Sequence, residues 1–94
     1  MSKSDGEKIR EIREAEGMGR QEFADLTGIK KQTLISTEQG RMACSLKTVK
    51  QVLAVFPHYT MWLMHDQVIE DAGQISPAIE EKRKELKQTG TDTE

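Results

Sequence analysis

The sequence predicts an all-α fold built around two short helices joined by a tight turn, with a short C-terminal extension. Three observations carry this expectation. Residues 20 to 38, RQEFADLTGIKKQTLISTE, place apolar anchors on either side of Gly28-Ile29. Apolar residues recur at helical spacing before and after that stretch, as Ile9, Ile12 and Ala15 and again as Leu46, Val49, Val52, Leu53 and Phe56. Glycine, proline and capping residues stand where such helices would begin and end. With 35% apolar and 4% aromatic residues, the core must be thin and mostly aliphatic.

Five helices are expected before the extension. Ser4 or Asp5 is suited to cap the first, which carries Ile9, Ile12 and Ala15 inward and ends at Gly17. Met18 should plug the space between the first two helices, and Gly19 is a tolerable but weak cap for the second. Phe23, Ala24 and Leu26 give the second helix its apolar face. Gly28 stops it by taking the left-handed conformation that a helix exit often needs. Ile29 fills the turn. The third helix begins near Lys30 or Lys31 and ends before Gly40, with Leu34 as its inward anchor. This length and punctuation are those of a helix-turn-helix, whose second helix can lie in the DNA major groove. Ser45 caps a fourth helix from Leu46 to about Phe56, stopped by Pro57. Thr60 can cap a short fifth helix containing Met61 to Met64.

After Met64 the character changes. Gln67-Val68-Ile69 and Gln74-Ile75-Ser76 flank Glu70-Asp71-Ala72-Gly73, which reads as a small hairpin or arm. Ser76-Pro77 then reads as the cap and first residue of a charged helix, Ala78 to Gln88, too poor in apolar residues to stand alone. The expected organisation is a DNA-binding unit over 1–65, a dimerisation extension over 66–88 and a disordered tail over 89–94. Tyr59, Trp62, Leu63, Val68, Ile69 and Ile75 concentrate bulky apolar surface behind the two-helix unit. Aromatics are enriched at interfaces, so part of this set is expected to join a homodimer.

Net charge is −2 but unevenly spread. Residues 1–19 carry four basic and five acidic groups, net −1, and residues 51–94 carry four basic and eight acidic groups, net −4. Residues 20–50 carry Arg20, Lys30, Lys31, Arg41, Lys47 and Lys50 against Glu22, Asp25 and Glu38, net +3. The local field decides phosphate attraction, and it is positive where the reading helix lies. One cysteine, Cys44, excludes an internal disulfide. No signal peptide or long apolar run is evident, so a reducing cytoplasm is the expected location. No glycine-rich phosphate loop, paired catalytic carboxylates or nucleophile motif is present, so an enzyme is not expected, nor a cofactor. His58 and His65 lack cysteine or acidic partners at ligand spacing, so no metal is expected either.

Several segments together carry a resemblance. Gly6-Glu7-Lys8-Ile9-Arg10-Glu11-Ile12-Arg13, the unit from Arg20 to Glu38, and Gly40-Arg41 followed by Ser45-Leu46-Lys47-Thr48-Val49 are similar to the successive helices of the Cro/repressor-type (XRE) helix-turn-helix domain, over residues 6 to 64. Tyr59-Thr60-Met61-Trp62-Leu63-Met64 and Gly73-Gln74-Ile75-Ser76-Pro77-Ala78 resemble the end of the short immunity repressors of peduovirus-type temperate phages. The resemblance implies a homodimeric repressor that occupies a double-stranded operator, blocks lytic transcription and maintains lysogeny. It implies base-edge roles for Lys31, Gln32 and Ser36, and a sugar-phosphate role for Thr33. It also implies a structural salt bridge between Arg13 and Glu38. Arg20, Arg41 and Lys47 are the phosphate candidates, Arg41 foremost because it follows Gly40 in a loop near the DNA backbone. The chain departs from the pattern at Gly19, where a Ser or Thr cap is usual, and at four further places. Arg20 replaces a glutamine that bridges phosphate and reading helix, Ile35 stands at a polar position, Thr37 at an aliphatic one, and Cys44 where proline is frequent. An antitoxin-like autorepressor binding a toxin or antirepressor protein through the charged C-terminal helix is the alternative, and an interaction module without DNA binding a further one.

Overall fold

The computed structural model describes the backbone of residues 3–92 and the side chains of residues 3–86. Its first helix, α1 (Asp5–Ala15), starts at a reciprocal cap. The Ser4 hydroxyl accepts from the Glu7 amide, and the Glu7 carboxylate accepts from the Ser4 amide, both at 3.2 Å. The helix ends where Gly17 takes φ 72°, so that the Gly17 amide reaches the Glu14 carbonyl and the Met18 amide reaches that of Arg13. α2 (Arg20–Thr27) has Gly19 at its cap and exits through Gly28 at φ 77°. α3 (Lys31–Glu38) ends like α1, with the Gly40 amide on the Thr37 carbonyl and the Arg41 amide on that of Ser36. α4 (Leu46–Val55) is capped by the Ser45 hydroxyl, which accepts from the Thr48 amide at 3.1 Å. A 3-10 turn, Pro57–Tyr59, leads into α5 (Thr60–His65). Thr60 is the first residue of α5 rather than its cap, because its hydroxyl donates back to the Pro57 carbonyl at 2.7 Å.

The core lies between these helices. Ile9, Ile12, Phe23, Leu34, Val52 and Tyr59 are fully buried, and Phe23 stacks on Phe56 with ring centres 5.6 Å apart. Ile29 is buried in the turn between α2 and α3, and Met18 is half-buried against the same core. Two expected core residues are outside it. Leu26 is 50% exposed because the inner stripe of α2 runs through Phe23, Ala24 and Thr27. Thr27 can enter the core because its hydroxyl donates to the Phe23 carbonyl at 2.8 Å. Leu46 is 57% exposed. It begins α4, and a first-turn side chain leans back over the cap, where no element covers it.

The extension departs most from expectation. No strand is present among the described residues. A single antiparallel bridge pairs Ile69 with Gln74 around a 3-10 turn, Glu70–Ala72. The segment cannot extend into a hairpin because its second half is bonded elsewhere. The Ile75 amide donates to the His58 carbonyl at 2.9 Å, and the Gln74 side chain accepts from the Met61 amide at 2.8 Å and donates to the Pro57 carbonyl at 3.1 Å. α6 (Pro77–Asp92) then lies against α1, with Ser76 capping the Ile79 amide and Lys84 donating to the Ala15 carbonyl. α6 is drawn as far as Asp92, into the segment 89–94 given above as a tail. Residues 93 and 94 of that tail lie outside the described residues.

Of the residues expected at a dimer interface, Tyr59, Leu63 and Ile75 are buried within the monomer. Trp62 is half-buried, while Val68 and Ile69 are exposed. No helix among the described residues is long and apolar enough to cross a membrane.

Candidate nucleic-acid interface

α3 is held by one side and presents the other. Leu34 and Glu38, one helical turn apart, point inward and are buried. Gln32 and Ser36, also one turn apart, lie on the opposite side, with Gln32 exposed and Ser36 partly so. Lys31 stands beside Gln32 and is exposed. Thr33 is half-buried at the edge of this surface, as is Ile35. The Arg41 amide donates to the Ser36 carbonyl at 2.9 Å, so the loop brings exposed Arg41 beside the last turn of α3. Lys47 and Lys50 project from α4 and are exposed. The residues expected to face base edges therefore share an open surface, flanked by cations that can meet phosphates.

Behind that surface a charged cluster sets the position of α3. Arg13 forks onto Glu38, with Nε to Oε2 at 2.8 Å and Nη2 to Oε1 at 3.0 Å. Its remaining Nη1 donates to the Met18 carbonyl at 2.9 Å. Glu38 is 0% exposed in its side chain and Arg13 is 11% exposed, so the pair is a true buried bridge between α1 and α3. The hydrogen bond that Arg13 donates to Glu38 raises the Arg13 pKa against the opposing effect of burial, so the guanidinium stays charged. Arg20 was expected on a phosphate, yet its Nε also donates to Glu38 Oε1, at 3.2 Å. Two arginines thus share one carboxylate.

Three features were missed from sequence. Lys8 is buried, donates to the Trp62 carbonyl at 3.1 Å, pairs with Asp66 and lies 5.2 Å from the centre of the Trp62 ring. The signal was available, because Lys8, Ile12 and Ala15 fall at i, i+4 and i+7 on the inner stripe. Gly6 is buried where α1 crosses α3. A third feature corrects the reading of His58, whose acidic partners come from distant segments. The donor atoms of Glu16, His58 and Glu80 lie within 4.8 Å of one another. These carboxylates already hold donors. Tyr59 donates to Glu16 at 2.6 Å, His58 lies 3.4 Å from the same oxygen, and Arg83 donates to Glu80 at 3.3 Å. His65 is exposed, and Cys44 is half-buried, its thiol pKa raised by burial and by Asp5.

Burial, then the bond to Glu16, holds the Tyr59 pKa well above its ordinary 10.0. The folded state therefore keeps a proton that the unfolded chain releases above pH 10, and Tyr59 adds stability below that pH that is lost as pH rises past it. Tyr59→Phe should be less stable than the parent at pH 8, with the gap narrowing above about pH 10. Melting curves across that range test this, and a constant gap would mean that the phenol is not held protonated.

The helix-turn-helix family model matches residues 9–61. Over 81 residues the chain is 38% identical to "Repressor protein C" of Escherichia phage P2, an alignment covering 84% of this chain and 82% of that protein. The matched span holds the buried bridge, the turn at Gly28 and the exposed side of α3 together, and the chain belongs to the helix-turn-helix family.

Proposed function

We propose that the protein is a sequence-specific DNA-binding repressor of a temperate phage or prophage, which blocks lytic transcription and maintains lysogeny. The observation that carries this is the exposure of Lys31 and Gln32 at the start of α3 while Leu34 and Glu38 lock its opposite side. The likeness to a phage repressor over most of the chain supports the biological setting. Repression needs no catalysis here, since a bound protein excludes polymerase from the promoter. Lys31 is suited to guanine O6 and N7, Gln32 to a bidentate pair with adenine, and Ser36 to a short contact one turn on. Thr33, Arg41, Lys47 and the outer part of Arg20 would hold phosphates and set register. A homodimer would present two reading helices to successive major grooves about 34 Å apart. Trp62, Val68 and Ile69 are the residues of the expected interface that retain accessible surface for it.

Selection of bound duplexes from a random DNA pool is the test. An enriched motif whose affinity falls as salt rises is the expected result. No enrichment, or affinity indifferent to salt, would overturn the reading. On the enriched duplex, Gln32→Ala should cost about 1–3 kcal/mol and relax one base position. Equal losses on every sequence would remove Gln32 from base reading.

A further inference from the structure

We propose that Glu16, His58 and Glu80 form a binding site for a divalent transition-metal ion of the zinc class, which ties the C-terminal extension to the helix-turn-helix core. The three ligands come from three separate segments. Glu16 stands at the end of α1, His58 lies in the 3-10 turn, and Glu80 sits in the first turn of α6. Their donor atoms lie within 4.8 Å of one another. His58 Nε2 and Glu16 Oε2 are 3.4 Å apart. Ligands on a tetrahedral zinc ion, with bonds of about 2.1 Å, are separated by about 3.4 Å, so this edge already fits. Glu80 has a flexible side chain and needs to close by no more than about 1.4 Å to complete the set.

The donor set selects the class of ion. An imidazole with two carboxylates suits zinc and its neighbours, whereas magnesium and calcium favour oxygen alone. Two carboxylates also balance the charge of a dication. Carboxylate oxygens only accept, so an imidazole nitrogen facing one needs a cation between them. A proton on His58 serves the edge with Glu16 alone, whereas a metal ion serves all three atoms. The donors already present leave the site open. Tyr59, at 2.6 Å from Glu16 Oε2, uses one lone pair and fixes the direction of that carboxylate as an outer-shell partner. Arg83 holds Glu80 at 3.3 Å through a side chain that is 66% exposed, so it can give way. Lys84 is turned onto the Ala15 carbonyl. The His58 ring is held by neighbours, 4.1 Å from the Tyr59 ring and 6.3 Å from that of Phe56. The side chains of Glu16 and His58 are 17% and 33% exposed and that of Glu80 is 15% exposed, so an ion can enter and is then shielded. Because Glu80 belongs to the extension and the other two ligands to the core, the ion binds fully only with α6 docked on α1. Metal binding and docking therefore stabilise each other.

The full chain, stripped with a chelator and titrated with Zn²⁺ in a calorimeter, tests this. The parent should bind one ion per chain, and its melting temperature should rise with Zn²⁺. Mg²⁺ at the same concentration should leave it unmoved. Glu80→Gln and His58→Gln should each weaken Zn²⁺ binding at least tenfold and abolish the rise. His65→Gln, at an exposed histidine outside the site, should bind like the parent. With Co²⁺ in place of Zn²⁺, the parent should show the visible absorption of tetrahedral coordination and His58→Gln should not. Glu80→Gln keeps the shape of its side chain and carries the test if His58→Gln fails to fold. A parent that binds no Zn²⁺, a Glu80→Gln variant that binds as tightly as the parent, or a rise that Mg²⁺ reproduces would each overturn the proposal.

Discussion

Arg13→Met is expected to destabilise the fold by about 3 kcal/mol, measured as a fall in the urea midpoint at constant slope. The reason is the state in which it leaves Glu38. That carboxylate is fully buried and takes two of its bonds from Arg13. Removing one member of a buried pair leaves a charge that water cannot reach, which typically costs about 3–5 kcal/mol. Arg20 remains on Oε1 and should hold the loss to the lower end of that range. The same substitution also releases the Met18 carbonyl from Nη1, loosening the link between α1 and α2. Arg13→Lys should recover little, because one ammonium cannot replace three directed donors. Arg13→Met combined with Glu38→Met should regain most of the stability, since the buried charge then disappears with its partner. A loss below about 1 kcal/mol in the single variant would mean that Glu38 reaches solvent or is neutralised by Arg20 alone.

The same cluster shows what the sequence could and could not disclose. The two-helix unit was legible because its signals are local. Gly17, Gly28 and Gly40 mark three helix exits, Ser45 caps α4, and Phe23 and Leu34 take the inward positions that helical spacing assigns them. Residues Lys31 and Gln32 were legible as exposed for the same reason, since the opposite side of α3 is occupied by Leu34 and Glu38. The Arg13–Glu38 bridge spans residues 25 apart and came only from family resemblance. Arg20's partner was missed because charge counting credits every arginine to the surface, whereas a guanidinium can face two ways. The position of α6 was beyond local periodicity altogether. Its few apolar residues gave no hint that it would lie along α1, with Ile75 in the core and Ile79 packed against it. Without that closure, Tyr59, Leu63 and Ile75 look like apolar surface left over for a partner. With it, Tyr59 becomes a core residue whose hydroxyl meets Glu16 across 43 positions. Periodicity tells which residues share a face, but only long-range docking decides which faces are covered.

The second large effect concerns the place where α1 crosses α3. In an ordinary helix Gly→Ala is stabilising, because alanine restricts the unfolded chain and favours the helix by roughly 1 kcal/mol. Gly6→Ala should do the opposite. A methyl group at Gly6 would fall inside the contact radius of the Thr37 carbonyl oxygen and 3.0 Å from its carbonyl carbon. Both are backbone atoms, so no side-chain rotation relieves the clash, and α1 must move away from α3. Overpacking of a close-packed core costs about 1–3 kcal/mol, and a collision with rigid backbone should reach at least the top of that range. The movement would also shift Glu38, one residue beyond Thr37, against Arg13 on α1, so the buried bridge should weaken with it. DNA discrimination is therefore expected to fall together with stability in this variant. Thr37 itself supplies the control. Its hydroxyl is buried without a hydrogen-bond partner, a loss that valine of similar shape avoids. Thr37→Val should accordingly be neutral or stabilising by about 1 kcal/mol, at the same crossing where Gly6→Ala is damaging. A melting temperature that rose in Gly6→Ala would show that the two helices stand further apart at this point, with room for a side chain between them.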